Sequence, residues 1–240
     1  MKFGRVAICI SGLPRVAGPA AGCFQKYFSD LDADVFIHTW STGCNEEIIK
    51  LYKPKLHIVQ DPIKSVNMGS FGNMLYSIMQ SNRLKRKYEL ENNFRYDLVI
   101  KTRFDVIFPN HLKFDMDELV PRTIYSSRGN NGINRTDYEN HGISDVFYWG
   151  DSQSMDIISD TFMYYWHSCL STVELDRREL KYEIQDFFMS PGNLMVRQCV
   201  MNNILIVKER WKFDTIWRED VSHLDPVMEF EKINERYIHG

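Results

Sequence analysis

The chain predicts an α/β fold, a mostly parallel central sheet flanked by helices within a single domain. Three observations predict it. Apolar runs of strand length alternate with helical segments, the pattern of parallel strands joined by crossover helices. Val6–Ile10 and Leu98-Val99-Ile100 are apolar at consecutive positions, as strands buried on both faces are. Several of these runs end abruptly in polar residues, and the carboxyl ends of parallel strands are where such sheets bind ligands.

In chain order, Val6–Ile10 forms the first strand and stops at Ser11-Gly12-Leu13-Pro14-Arg15. A helix over Gly18–Phe28 follows, then a second strand, Asp34–Trp40, closing on His38-Thr39-Trp40. A helix over Asn45–Leu51 and a strand over Leu56–Gln60 complete two β–α alternations. Asn73–Asn93 is the longest helical segment. Leu75, Ile78, Met79 and Tyr88 supply its apolar face, and Arg83, Lys85, Arg86 and Lys87 load its middle with charge, the usual make-up of a solvated face. The helix feeds into Tyr96–Pro109, where Lys101, Thr102, Arg103 and Asp105 interrupt an apolar run. A strand is expected near Thr123–Ser126, a long Gly- and Asn-rich loop over Ser127–His141, and a strand over Ile143–Gly150. Asp151-Ser152 caps a helix over Met155–Trp166. Helices over Glu174–Phe187 and Leu194–Val200 flank a turn at Pro191-Gly192-Asn193, and a late strand spans Ile204–Val207.

Composition narrows the function classes. With 240 residues, 44% hydrophobic and 25% charged, the chain suits one domain with a sizeable core rather than a disordered or membrane-embedded chain. A net charge of −3 argues against general nucleic-acid binding, which needs an excess of Lys and Arg to replace counterions. No stretch approaches the roughly 20 apolar residues of a spanning helix, and Leu13-Pro14-Arg15 gives the short N-terminal apolar run a poor cleavage region. Cys9, Cys23, Cys44, Cys169 and Cys199 are odd in number and lack CxxC spacing, which points to reduced thiols and a cytoplasmic location.

Four polar punctuations fall at strand ends: Ser11–Arg15, His38–Trp40, Arg103-Phe104-Asp105 and Asp145. Gly12 permits close backbone approach by a phosphate or base, and Arg15 and Arg103 can fork onto phosphate oxygens. Asp105 can hold Mg²⁺ or Mn²⁺, hard cations that bridge carboxylate and diphosphate oxygens. Plainer readings stand beside these. Arg103 and Asp105 can form a structural ion pair, Gly12-Leu13-Pro14 a simple turn, His38 a hydrogen-bonded core histidine, and Asp145 a strand-end cap. The chain has no GxGxxG after its first strand, no GxxxxGK[ST], no HExxH and no GxSxG.

Val6–Arg15, Val35–Trp40, Tyr88-Glu89, Tyr96–Asp105, Ser144–Asp151 and Met155-Asp156, in this order and spacing, resemble small GT-A-type glycosyltransferases of large DNA viruses and bacteria. The resemblance covers most of Val6–Asp156 and fades towards the C-terminus. It implies a GT-A-like (Rossmann-like) domain over residues 1–240, with a nucleotide-sugar-binding half at 1–110 and an acceptor-side half at 111–240. It also implies a nucleoside-diphosphate sugar (UDP- or GDP-linked) as donor, a glycan, glycoprotein or other hydroxyl acceptor, and Mn²⁺ or Mg²⁺. If the chain is viral, it would act in the host cytoplasm.

The donor-binding set is then Ser11, Gly12, Arg15, His38, Asn73, Arg103 and Asp105. GT-A enzymes usually carry Asp-x-Asp at the end of a central strand, and here the matching positions are Arg103, Phe104 and Asp105. Either Asp105 alone anchors the metal, with His223 completing its site, or Arg103 takes over part of the charge neutralisation. An inverting transfer needs a carboxylate for the acceptor's proton; Asp145 is the first candidate and Asp151 the second. Two alternatives stay open: a sugar nucleotidyltransferase and a noncatalytic nucleotide- or glycan-binding module.

Overall fold

The computed structural model describes residues 4–14, 17–43, 45–64, 69–107, 119–127, 142–171, 191–209 and 214–215. Its strands are β1 (Val6–Gly12), β2 (Asp34–Trp40), β3 (Leu56–Gln60), β4 (Leu98–Thr102), β5 (Val106–Ile107), β6 (Thr123–Ser127), β7 (Tyr148–Gly150), β8 (Leu205–Glu209) and β9 (Asp214–Thr215). The described helices are α1 (Ala17–Phe28), α2 (Asn45–Tyr52), α3 (Gly69–Glu91), α4 (Ser152–Ser159), α5 (Thr161–Ser171) and α6 (Pro191–Met201). Seven strands form one mixed sheet in the order β3-β2-β1-β4-β7-β6-β8, while β5 and β9 pair separately. The first four are mutually parallel, β7 runs antiparallel to both its neighbours, and β6 and β8 are parallel to each other.

The consecutive apolar residues of β1 and β4 are explained by helices on both faces. Ala7, Cys9, Phe36, Val99 and Tyr148 pack with α3, α4, α5 and α6 on one side. Val6, Ile8, Ile10, Ile37, Leu98 and Ile100 pack with α1 and α2 on the other. On this scaffold the order β2-β1-β4 is a topological switch point, because the chain winds outward from β1 to β3 and then returns to place β4 on β1's other side.

The expected strands at Asp34–Trp40 and Leu56–Gln60 have those bounds in the fold, and the long helix begins earlier, at Gly69. Three expectations change. The strand expected at Ile143–Gly150 is confined to Tyr148–Gly150. Ahead of it the Ser144 amide donates to Ser126 Oγ, and Ser144 Oγ accepts from the Val146 amide, side-chain bonds that replace a ladder. The single helix expected over Met155–Trp166 is two, α4 and α5, where Ser159 and Thr161 hydroxyls donate back to the carbonyls of Asp156 and Ile158. Pro191-Gly192-Asn193 is the first turn of α6 rather than a turn ahead of it, with proline at the position whose amide no helix needs. The loop expected over Ser127–His141, beyond Ser127, and the helix expected over Glu174–Phe187 lie outside the described residues.

The basic stretch of α3 is not uniformly solvated. Lys85 has no exposed surface, and its ammonium donates to Asp156 Oδ1 at 2.8 Å and lies 3.1 Å from Glu89 Oε2. Ser152 Oγ donates to Glu89 Oε1, Asn82 donates to Asp156 Oδ1, and Arg95 reaches Asp156 Oδ2. The result is a buried network that rivets α3 to α4, with its charges paired as burial requires.

Candidate functional site

At the carboxyl end of β1, Ser11 is buried and Gly12 adopts φ +116°, a backbone conformation open to glycine and strained for any residue with a Cβ. The Gly12 carbonyl accepts a hydrogen bond from Thr39 Oγ1 at 3.1 Å, which ties the ends of β1 and β2 together. Among the described residues nothing lies within 4 Å of where a Gly12 Cβ would sit, so the backbone there faces open space. Beside it, β4 ends in Arg103-Phe104-Asp105. Phe104 is buried and meets Tyr52 edge-on at 5.6 Å, which anchors the turn and leaves the residues on either side partly exposed.

Arg103 and Asp105 form a two-point pair. Nε donates to Oδ1 at 2.9 Å and the outer nitrogen to Oδ2 at 2.5 Å. The other terminal nitrogen of Arg103 lies 3.7 Å from Asp145 Oδ2, so one guanidinium faces two carboxylates. Partial burial weakens the Arg103 charge, but the hydrogen-bonded Asp105 carboxylate and nearby Asp145 more than offset it. The guanidinium is held above its ordinary pKa.

Lys101 completes the cluster. The residue is 1% exposed, its ammonium donates to the Asp145 backbone carbonyl, and it sits 5.7 Å from the Tyr148 ring. Burial drives its pKa down to about 7; Asp145 and Asp105 oppose that fall and Arg103 adds to it. Two basic side chains and two carboxylates therefore gather along the strand end at the switch point.

Asp145 reaches this edge because β7 is antiparallel. The pairs Lys101↔Tyr148 and Val99↔Gly150 place the chain before β7 at the carboxyl end of β4. The same register sends Asp151 to the opposite edge. There its carboxylate accepts from the Ser154 and Arg122 amides, capping α4, and it does not join the cluster as a second proton acceptor.

Two of the expected donor-binding residues are engaged elsewhere. His38 is fully buried, with Nδ1 at 2.7 Å from Ser77 Oγ and its ring edge-on to Trp40 and Tyr76. Burial lowers its pKa to about 4, against the smaller opposing influence of the Gln60 side chain, so it is a neutral core histidine. Asn73 clamps the segment before α3, accepting from the Ile63 amide and donating to the carbonyls of Ile63 and Gly69. Arg15 and His223 lie outside the described residues.

Cavities do not mark the site by themselves. One of about 1030 Å³ between α3 and α5 is lined by Arg83, Arg86, Lys87, Tyr164 and His167; another of about 690 Å³ at the opposite sheet edge includes Tyr96, Asp97 and Asp151. The first has much of its charge internally matched, Arg86 to Asp160 and Lys87 to Glu91. The strand-end cluster is the stronger candidate because its charges meet at the switch point. No protein-family model matches the chain, and no curated protein is significantly similar to it.

The cluster offers the expected divalent cation few ligands. Among the described residues no three metal-ligating side chains come together, and both Asp105 oxygens already hold a guanidinium. The described donors do not fit a metal by themselves. Lys101 is the functional candidate that sequence reading missed, since a lysine within a charged break carries no mark of burial.

Proposed function

We propose that the chain is a GT-A-like glycosyltransferase that moves a sugar from a UDP- or GDP-linked donor to a glycan or other hydroxyl acceptor. One observation carries the reading. Arg103, Asp105, Asp145 and Lys101 meet at the carboxyl end of β4, beside the end of β1 that carries Gly12, so three separate stretches of sequence share one sheet edge. The sequence resemblance over Val6–Asp156, which includes these residues, supports the same reading.

The chemistry divides among these residues. The open backbone at Gly12 admits a diphosphate or base at close range. In the transfer, the acceptor oxygen forms a bond to the anomeric carbon while the bond from that carbon to the phosphate oxygen breaks. The electron pair leaves with the nucleoside diphosphate, and Arg103 neutralises the charge that develops there. Asp105, gripping Arg103 at two points, orients it. In an inverting transfer Asp145 takes the acceptor hydroxyl proton, and its side chain, 32% exposed, is accessible for that task.

A thermal-shift panel of nucleoside diphosphates, followed by donor hydrolysis with the responding sugar nucleotide, tests the reading. Stabilisation by UDP or GDP and slow hydrolysis of one sugar donor are expected. Asp145→Asn should keep donor binding and lose turnover; if it loses binding instead, Asp145 belongs to the nucleotide site. No response to any nucleoside diphosphate would sink the proposal.

A further inference from the structure

We infer that this site holds the donor's diphosphate with the chain's own cation, Arg103, and that donor binding needs no divalent metal. The inference rests on the glycosyltransfer reading and says how that site recognises its donor. An Asp-x-Asp strand end presents carboxylates that attract a metal, which in turn attracts phosphate. Here the first of those positions is itself a cation, and it grips the remaining carboxylate.

Three observations carry it. Both oxygens of Asp105 accept from Arg103, so a metal at Asp105 would have to share a carboxylate whose charge a two-point, charge-assisted pair already neutralises. That pair uses two of the guanidinium's five N–H donors. The remaining terminal nitrogen is 3.7 Å from Asp145, beyond hydrogen-bond length, and a phosphate oxygen can take that nitrogen without disturbing Asp105. Finally, Lys101, buried at the same strand end, grips the Asp145 backbone carbonyl and so holds Asp145 beside Arg103. The guanidinium has unused N–H donors to offer an arriving diphosphate, whereas an arriving dication finds both nearby carboxylates facing that guanidinium. Transfer of Arg103 from Asp145 towards phosphate would also release the Asp145 carboxylate for the acceptor.

The experiment has two arms. Mn²⁺ alone is titrated into the wild-type protein, Asp105→Asn and Arg103→Asp, with binding read by electron paramagnetic resonance. The wild type and Asp105→Asn should behave alike, while Arg103→Asp, which restores the second carboxylate, should acquire a Mn²⁺ site. UDP and GDP are then titrated in EDTA and in Mn²⁺. Affinity should be the same in both, and should fall at least about tenfold in Arg103→Gln, the loss of one charge-assisted contact. Mn²⁺ binding by the wild type that Asp105→Asn removes would overturn the inference. Nucleotide binding that requires Mn²⁺ would overturn it too while leaving the glycosyltransfer reading in place. Failure of both nucleotides to bind under any condition removes that reading and the inference with it.

Discussion

Replacing Lys101 by methionine gives the sharpest test of the electrostatics at the strand end. The lysine is buried and its pKa is pushed from 10.5 down to about 7, chiefly by desolvation. Between those values the unfolded chain holds a proton that the folded chain has released, so stability rises with pH across that window. Below it both states are protonated and the folded protein carries the full cost of a buried ammonium. Single-site linkage gives a gain of about 2.5 kcal/mol for the wild type between about pH 6 and about pH 9. Lys101→Met has no such group, and every other titration is shared, so the difference between the two pH–stability curves isolates this lysine. Urea unfolding followed by tryptophan fluorescence at several pH values measures it. The wild type should gain on the variant as pH rises, with the curves converging or crossing from an acid-side deficit. Parallel curves across that range would refute the reasoning, because they would mean that Lys101 titrates alike in both states.

Further outcomes follow from the same geometry. Asp156→Ala strips the buried Lys85 of its closest carboxylate and should cost about 3–5 kcal/mol in urea unfolding, with the nucleotide response kept wherever the fold survives. Asp151→Ala removes the cap of α4 and should cost about 1 kcal/mol, yet leave the turnover number for donor hydrolysis unchanged, since its carboxylate sits at the far sheet edge. Gly12→Ala should cost about 1–2 kcal/mol, because φ +116° strains any Cβ-bearing residue, and should also weaken nucleotide-induced stabilisation.

The strands that could be read from sequence were those whose burial is symmetric. In β1 and β4 every position is apolar up to the polar stop, and helices on both faces make that pattern local to the strand itself. The buried network of α3 was harder to read, although it left a trace. Leu75, Ile78, Asn82, Lys85 and Glu89 recur at helical spacing along one face, and all five are buried. Lys85 stands seven residues after Ile78, on the apolar stripe. A cation there has to be paired, and Glu89 four residues on is one partner. The other, Asp156, comes from a helix whose contact with α3 no local pattern announces.

The candidate site was legible in its residues and illegible in its assembly. Arg103 and Asp105 share one strand end, so their proximity follows from two residues of spacing. Asp145 is different. Had the chain from Ile143 to Gly150 been one strand parallel to β4, the expectation for a β–α alternation, its start would have lain at the amino-terminal edge and Asp145 with it. The strand instead begins at Tyr148 and runs antiparallel, which brings Asp145 to Arg103 and sends Asp151 away. The direction of a strand is set by the connection that precedes it and by what its neighbours leave unpaired, and neither is written in the strand's own residues. Tyr148, Trp149 and Gly150 would pack as well in either sense on pattern alone; the register with Val99 and Lys101 decides which of two aspartates meets the guanidinium.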